Sequence, residues 1–180
     1  MRKCYLPRST VDAWNNHGIR PLQDSLGLNT GTHLEGKAGK KGDEMENKAH
    51  GETILNVEDD TVVGALYQFI LECNGYRVIN AVDGEDGINK FIEHQDEIQL
   101  LITDVIMPKK NGKALYEEIK KIKNDVKVIF TSGYDTELTK ELQSWGMAYL
   151  QKPYPPAKLL AKIKDLHNDI LTTSRQVLWN

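Results

Sequence analysis

Residues 98–108 read IQLLITDVIMP, and this stretch decides how the rest of the chain is parsed. Leu100, Leu101 and Ile102 run together without the apolar–polar alternation of a half-exposed strand, so the run suits a parallel strand covered on both faces. It ends in Asp104, and an acid closing the most apolar strand of the chain has no packing purpose, because burying an unpaired carboxylate is costly.

Working outward, Ile54–Val57 is a second short buried run that also ends in acids, and Val62, Leu66, Phe69, Ile70 and Cys73 then fall on one helical face. Gly75 closes that helix. Tyr76 to Ala81 reads as a strand, Gly84 to His94 as a helix, Ile98 to Thr103 as the third strand and Lys113 to Ile122 as a helix. Val126 to Phe130, Thr136 to Ser144, Met147 to Leu150 and Pro156 to Ile170 continue as strand, helix, strand and helix. This strict alternation predicts an α/β fold with a doubly wound, five-stranded parallel sheet.

In such a sheet the chemistry collects at the carboxyl ends of the strands. Glu58, Asp59 and Asp60 follow the first strand and Asp104 the third; Thr131, Ser132 and Gly133 follow the fourth, and Lys152 and Pro153 the fifth. Carboxylates gathered on one edge repel unless a cation neutralises them. Oxygen donors without His or Cys suit Mg²⁺, or Mn²⁺, with waters completing an octahedral shell. A metal, a free carboxylate, a hydroxyl and a lysine side by side make a phosphoryl site, in which the cations offset the phosphoryl oxygens and the carboxylate attacks in line. Other residues have plainer roles. Asp60 is placed to cap the first helix, Asn111 and Gly112 to shape the turn after Asp104, and Lys109 and Lys110 to lie in a solvated loop. Cys73 falls in the core, and His94 and His167 lie at helix ends on the surface.

Composition bounds the rest. The chain has 180 residues, 39% of them hydrophobic and 27% charged, with a net charge of -3, which argues against a binder of nucleic acid or membranes that works through bulk charge. Its two cysteines, Cys4 and Cys73, lack zinc-ligand spacing, and no apolar run is long enough for membrane insertion, so a cytoplasmic setting is expected. From Glu35 to Glu52 half the positions are charged and Met45 is the only large apolar residue, so residues 9–52 read as a flexible linker and 53–170 as the folded domain, with 171–180 a tail.

The segments ILNVEDD (54–60), ITDVIMP (102–108), Asn111-Gly112, FTSGY (130–134) and YLQKPY (149–154) together resemble the receiver domain of two-component response regulators, most closely the receivers fused to hybrid histidine kinases. The resemblance covers residues 53 to about 170 and implies the flavodoxin-like (βα)5 fold. It implies that Asp104 is the phosphoacceptor and that Glu58, Asp59 and the backbone carbonyl of Ile106 join it in holding Mg²⁺. Glu58 stands where the family often has aspartate, which would change the metal distance. Ser132, followed by the small Gly133, matches the switch hydroxyl, Tyr149 the aromatic that reorients with it, and Lys152 the lysine on the phosphoryl oxygens; the Lys152–Pro153 bond is expected to be cis.

The resemblance further implies a phosphohistidine partner, a histidine kinase or a histidine phosphotransfer protein, with no nucleic acid bound and weak homodimerisation. Lys3 to Arg8 (KCYLPR) resembles the last strand of a sensor kinase's ATP-binding domain, so residues 1–8 read as its remnant. No nucleotide-binding glycine boxes occur, and the expectation is a phosphoacceptor rather than an enzyme. Two alternatives stand beside it. Glu58-x-Asp60-x-Val62 is similar to the nucleophile loop of haloacid-dehalogenase-like phosphatases, and a receiver can also serve contacts without being phosphorylated.

Overall fold

The computed structural model describes residues 51–134 and 137–177, with side chains to His167. The expected kinase remnant and nearly all of the expected linker therefore lie outside the described residues. Five strands and five helices alternate: β1 (Thr53–Val57), α1 (Thr61–Cys73), β2 (Arg77–Ala81), α2 (Gly84–Glu93), β3 (Ile98–Asp104), α3 (Gly112–Ile122), β4 (Lys127–Ser132), α4 (Glu137–Ser144), β5 (Ala148–Gln151) and α5 (Pro156–Val177). All pairings are parallel, and the sheet order is β2-β1-β3-β4-β5. The expected doubly wound fold is the one observed. β4 runs two residues beyond its expected end, which puts Thr131 and Ser132 on the strand itself, and α5 continues to Val177.

Side-chain alternation divides the sheet between two helical layers. Leu55, Val57, Leu101 and Phe130 join Phe91 of α2, Leu115 and Ile119 of α3 and Leu142 of α4 in one cluster. On the other side α1 packs against α5, with Leu66, Ile70, Leu159 and Ile163 buried. Phe91 and Phe130 are fully buried, and each such side chain contributes about 1.5–3 kcal/mol relative to an exposed one.

Local chemistry fixes where the helices start. Asp60 caps α1 by accepting from the Val62 and Val63 amides at 2.9 and 3.2 Å, and Asp83 caps α2 by accepting from Glu85 and Asp86, both at 2.9 Å. Asn111 caps α3 by accepting from Ala114 at 2.8 Å. Gly75, at φ 89°, takes the left-handed conformation that ends α1. Cys73 is half-buried rather than in the core. Among the described residues no helix is long and apolar enough to cross a membrane.

Candidate functional site

The strand order reverses between β1 and β3, and their carboxyl ends open a crevice there. Register carries the key residues to that edge: Val57 lies opposite Thr103, Asp104 opposite Thr131, and Ser132 opposite Gln151. Sheet hydrogen bonding continues one residue beyond these strands, with Glu58 N–H donating to Ala81 at 3.0 Å, Val105 to Thr131 at 2.8 Å and Lys152 to Ser132 at 2.8 Å. The backbones that bear or flank the reactive groups are thus fixed by the sheet.

Glu58, Asp59 and Asp104 each offer a carboxylate oxygen within 4.8 Å of the others. Glu58 is 5% exposed and Asp104 9%, whereas Asp59 is exposed to solvent. Lys152 binds both buried acids, with Nζ 2.9 and 2.6 Å from the two Glu58 oxygens and 2.8 Å from Asp104 Oδ2. The other Asp104 oxygen, Oδ1, accepts from the Ile106 amide at 3.1 Å. Burial pushes the Glu58 carboxyl up to about 7, against the attraction of Lys152. Burial alone would pull Lys152 down, but Glu58 and Asp104 outweigh it and hold the ammonium above the ordinary lysine value. Behind this pair Tyr67 and Tyr154 stack with centroids 5.5 Å apart and planes 7° apart, and burial raises both phenols, so they stay protonated.

This donor set fits a hard divalent cation. It contains three carboxylates and no His or Cys, and among the described residues the ammonium of Lys152 is the one cation paired with the two buried acids. The Asp60 carboxylate is turned into the cap of α1 and lies outside the cluster, which removes the second acid that the phosphatase reading requires. Ser132 is fully buried, and its Oγ donates to the Tyr134 carbonyl and accepts from the Tyr134 amide, both at 3.2 Å. Tyr149 is half-buried against the core cluster on β5, and the Lys152–Pro153 bond is cis.

A family comparison draws the fold and this edge together. Residues 54–164 match the model of the response regulator receiver domain. The chain belongs to this family. As a receiver domain of two-component systems, it is similar to the uncharacterized transcriptional regulatory protein YbdJ of Bacillus subtilis, 36% identical over 118 residues that cover 64% of this chain and 51% of that protein. It thus spans about half the length of that relative. Among solved structures, a receiver domain protein from Clostridium thermocellum is 30% identical with a TM-score of 0.61, covering 68% of this chain and 98% of that one. The receiver domain of the hybrid histidine kinase CckA is 34% identical with a TM-score of 0.55, covering 63% and 96%.

Several features of this receiver were not anticipated. Lys109 is exposed, as expected, but it is also paired: at φ 62° its Nζ reaches Asp83 at 2.7 Å, while the half-buried Lys110 pairs with Glu118 at 2.6 Å. A Cβ on Gly84 would stand 2.5 Å from the Lys110 carbonyl, so the loop after Asp104 lies directly on the start of α2. The signal was the Asp83-Gly84 pair, a cap followed by a residue that tolerates close approach. A Cβ on Gly112 would stand 2.2 Å from the Asp104 carbonyl, which makes this glycine a requirement of packing next to the acceptor. Asn56, fully buried on β1, donates to Asn80 at 2.9 Å, and Asn80 donates to Gln68 at 2.6 Å, tying α1 to the sheet. His94 does end α2 and His167 lies within α5 rather than at its end; both are half-buried, and His167 meets Glu52.

Proposed function

We propose that this receiver accepts a phosphoryl group onto Asp104 from a phosphohistidine on a histidine kinase or a histidine phosphotransfer protein. The observation that carries this reading is the Lys152 ammonium bound at once to Asp104 and Glu58, in an acidic crevice at the sheet's switch point. A carboxylate oxygen of Asp104 attacks phosphorus, the P–N bond to the imidazole breaks, and the histidine leaves with its electron pair. Water later hydrolyses the acyl phosphate and restores the carboxylate. Glu58, Asp59, Asp104 and the Ile106 carbonyl would hold Mg²⁺, which when bound supplies positive charge to the transferring group. Lys152 supplies the second cation by moving from Asp104 onto a phosphoryl oxygen.

Ser132 is the hydroxyl that exchanges its bonds with Tyr134 for one to the phosphoryl group. The added charge of about -1.5 to -2 draws Ser132 and Lys152 inward and lets Tyr149 turn, moving the face of α4, β5 and α5. The domain receives a phosphoryl group and does not generate one from ATP. The KCYLPR run at residues 3–8 supports a place downstream of a kinase's ATP-binding domain.

Incubation with acetyl phosphate and Mg²⁺ tests the reading. One added phosphoryl mass is expected in the wild type, and none in Asp104→Asn or after chelation of the metal. A mass gain that survives Asp104→Asn, or none in the wild type, overturns it.

A further inference from the structure

Between α3 and α4 lies a cleft of about 370 Å³ that shares no residue with the acidic crevice. Tyr116, Leu142 and Met147 line it beside Trp145, which sits in the turn after α4 and is 51% exposed. An aromatic of this size left half in water beside other apolar side chains is the composition of an interface rather than of an ordinary surface. Lys113 holds the indole in place, with Nζ 4.5 Å from the ring centroid and 3.0 Å from Glu141.

The rim decides what would cover it. Lys120 and Lys121 border the cleft at the last turn of α3, and neither makes an ion pair among the described residues. Lys120 lies over the Tyr116 ring at 5.7 Å and so sits directly above the apolar floor. Glu117 is the single acid lining the cleft, 3.9 Å from the already paired Lys113. An apolar floor with two uncompensated ammonium groups is complementary to an apolar anchor flanked by carboxylates.

We propose that this cleft docks an acidic amphipathic helix of a partner protein, its apolar side chains on Trp145 and Tyr116 and its carboxylates on Lys120 and Lys121. The mode is that of a helix laid in a groove, with anchors at i, i+3, i+4 and i+7. It is separate from phosphoryl transfer and holds equally for the Asp104→Asn chain, so the two readings fail independently.

The test uses the full chain carrying Trp14→Phe and Trp179→Phe, so that Trp145 alone reports. The probe is a synthetic helical peptide with Leu and Phe at the anchor spacing and Glu elsewhere, compared with the same peptide carrying Lys in place of Glu. The expected result is a saturable blue shift of Trp145 emission with the acidic peptide, and binding about tenfold or more weaker for the basic one. With labelled peptide, anisotropy should show a loss of about tenfold or more on Trp145→Ala, and a reversed peptide preference in a Lys120→Glu, Lys121→Glu chain whose circular dichroism is unchanged. No saturable shift, or equal affinity for the two peptides, overturns the proposal. So does a blue shift that follows protein concentration without peptide, since it gives the cleft to a second copy of the chain.

Discussion

At the scale of single residues, Glu58 carries the sharpest consequence. Its carboxyl titrates near 7 in the folded chain against 4.5 when free. Between these values the native protein keeps a proton that the unfolded chain has released, so the metal-free domain loses stability as pH rises from about 4.5 to 7 and levels off above. Glu58→Gln should therefore stabilise the metal-free domain at pH 8, by on the order of 3 kcal/mol, with little effect at pH 4.5. Thermal melts in chelator across this range check it; an effect that does not grow with pH would refute it. Divalent cation and proton compete for the same carboxylate, so Mg²⁺ affinity should rise as pH increases through 7, and calorimetric titration at pH 6 and pH 8 would show it.

At the scale of elements, Gly84 and Gly112 let a helix and a loop come close, whereas Gly133 does not. Gly112→Ala places a methyl group 2.2 Å from the Asp104 carbonyl, and should cost about 1–3 kcal/mol or more while displacing the acceptor loop. Gly133→Ala meets nothing within 4 Å and should leave stability nearly unchanged. Denaturant melts of the two variants, with phosphoryl uptake measured beside them, distinguish a packing effect from a general intolerance of alanine. Asp83 links two elements, capping α2 and holding Lys109. The hydrogen bond from Lys109 holds the Asp83 carboxyl below its ordinary value, so it supports folding above about pH 4, and that support fades as pH falls further.

The elements also mark what could be read from the residues alone. Apolar runs and helical periodicity placed every strand and helix, because the sheet is covered on both faces and strand identity is written in consecutive residues such as Leu100 to Ile102. Glu58, Asp104 and Lys152 were readable for the same reason, since a strand's end locates them. The Lys109–Asp83 pair and the buried Asn56 were not, because each is satisfied by a partner 26 or 24 residues away, and such pairings leave no local pattern.

At the scale of the whole molecule, the acidic crevice is a liability until a cation enters it. Mg²⁺ that binds the folded chain and not the unfolded one should raise the melting temperature, with a gain near 2.7 kcal/mol at a hundredfold excess over Kd. Asp59→Asn, exposed and distant from packing, should remove most of that gain and leave the metal-free stability within about 0.5 kcal/mol of wild type. Differential scanning calorimetry with and without Mg²⁺ measures both.

The sheet bonds that run past β1, β3 and β5 have a dynamic consequence as well. The amides of Glu58, Val105 and Lys152 are held by the sheet itself, so their hydrogens should exchange with solvent only on near-global opening. The backbone of the crevice is then a rigid frame for its side chains. Any signal leaving it must travel through rotamers and loops, and deuterium uptake at these three amides should stay slow whether or not Asp104 is phosphorylated.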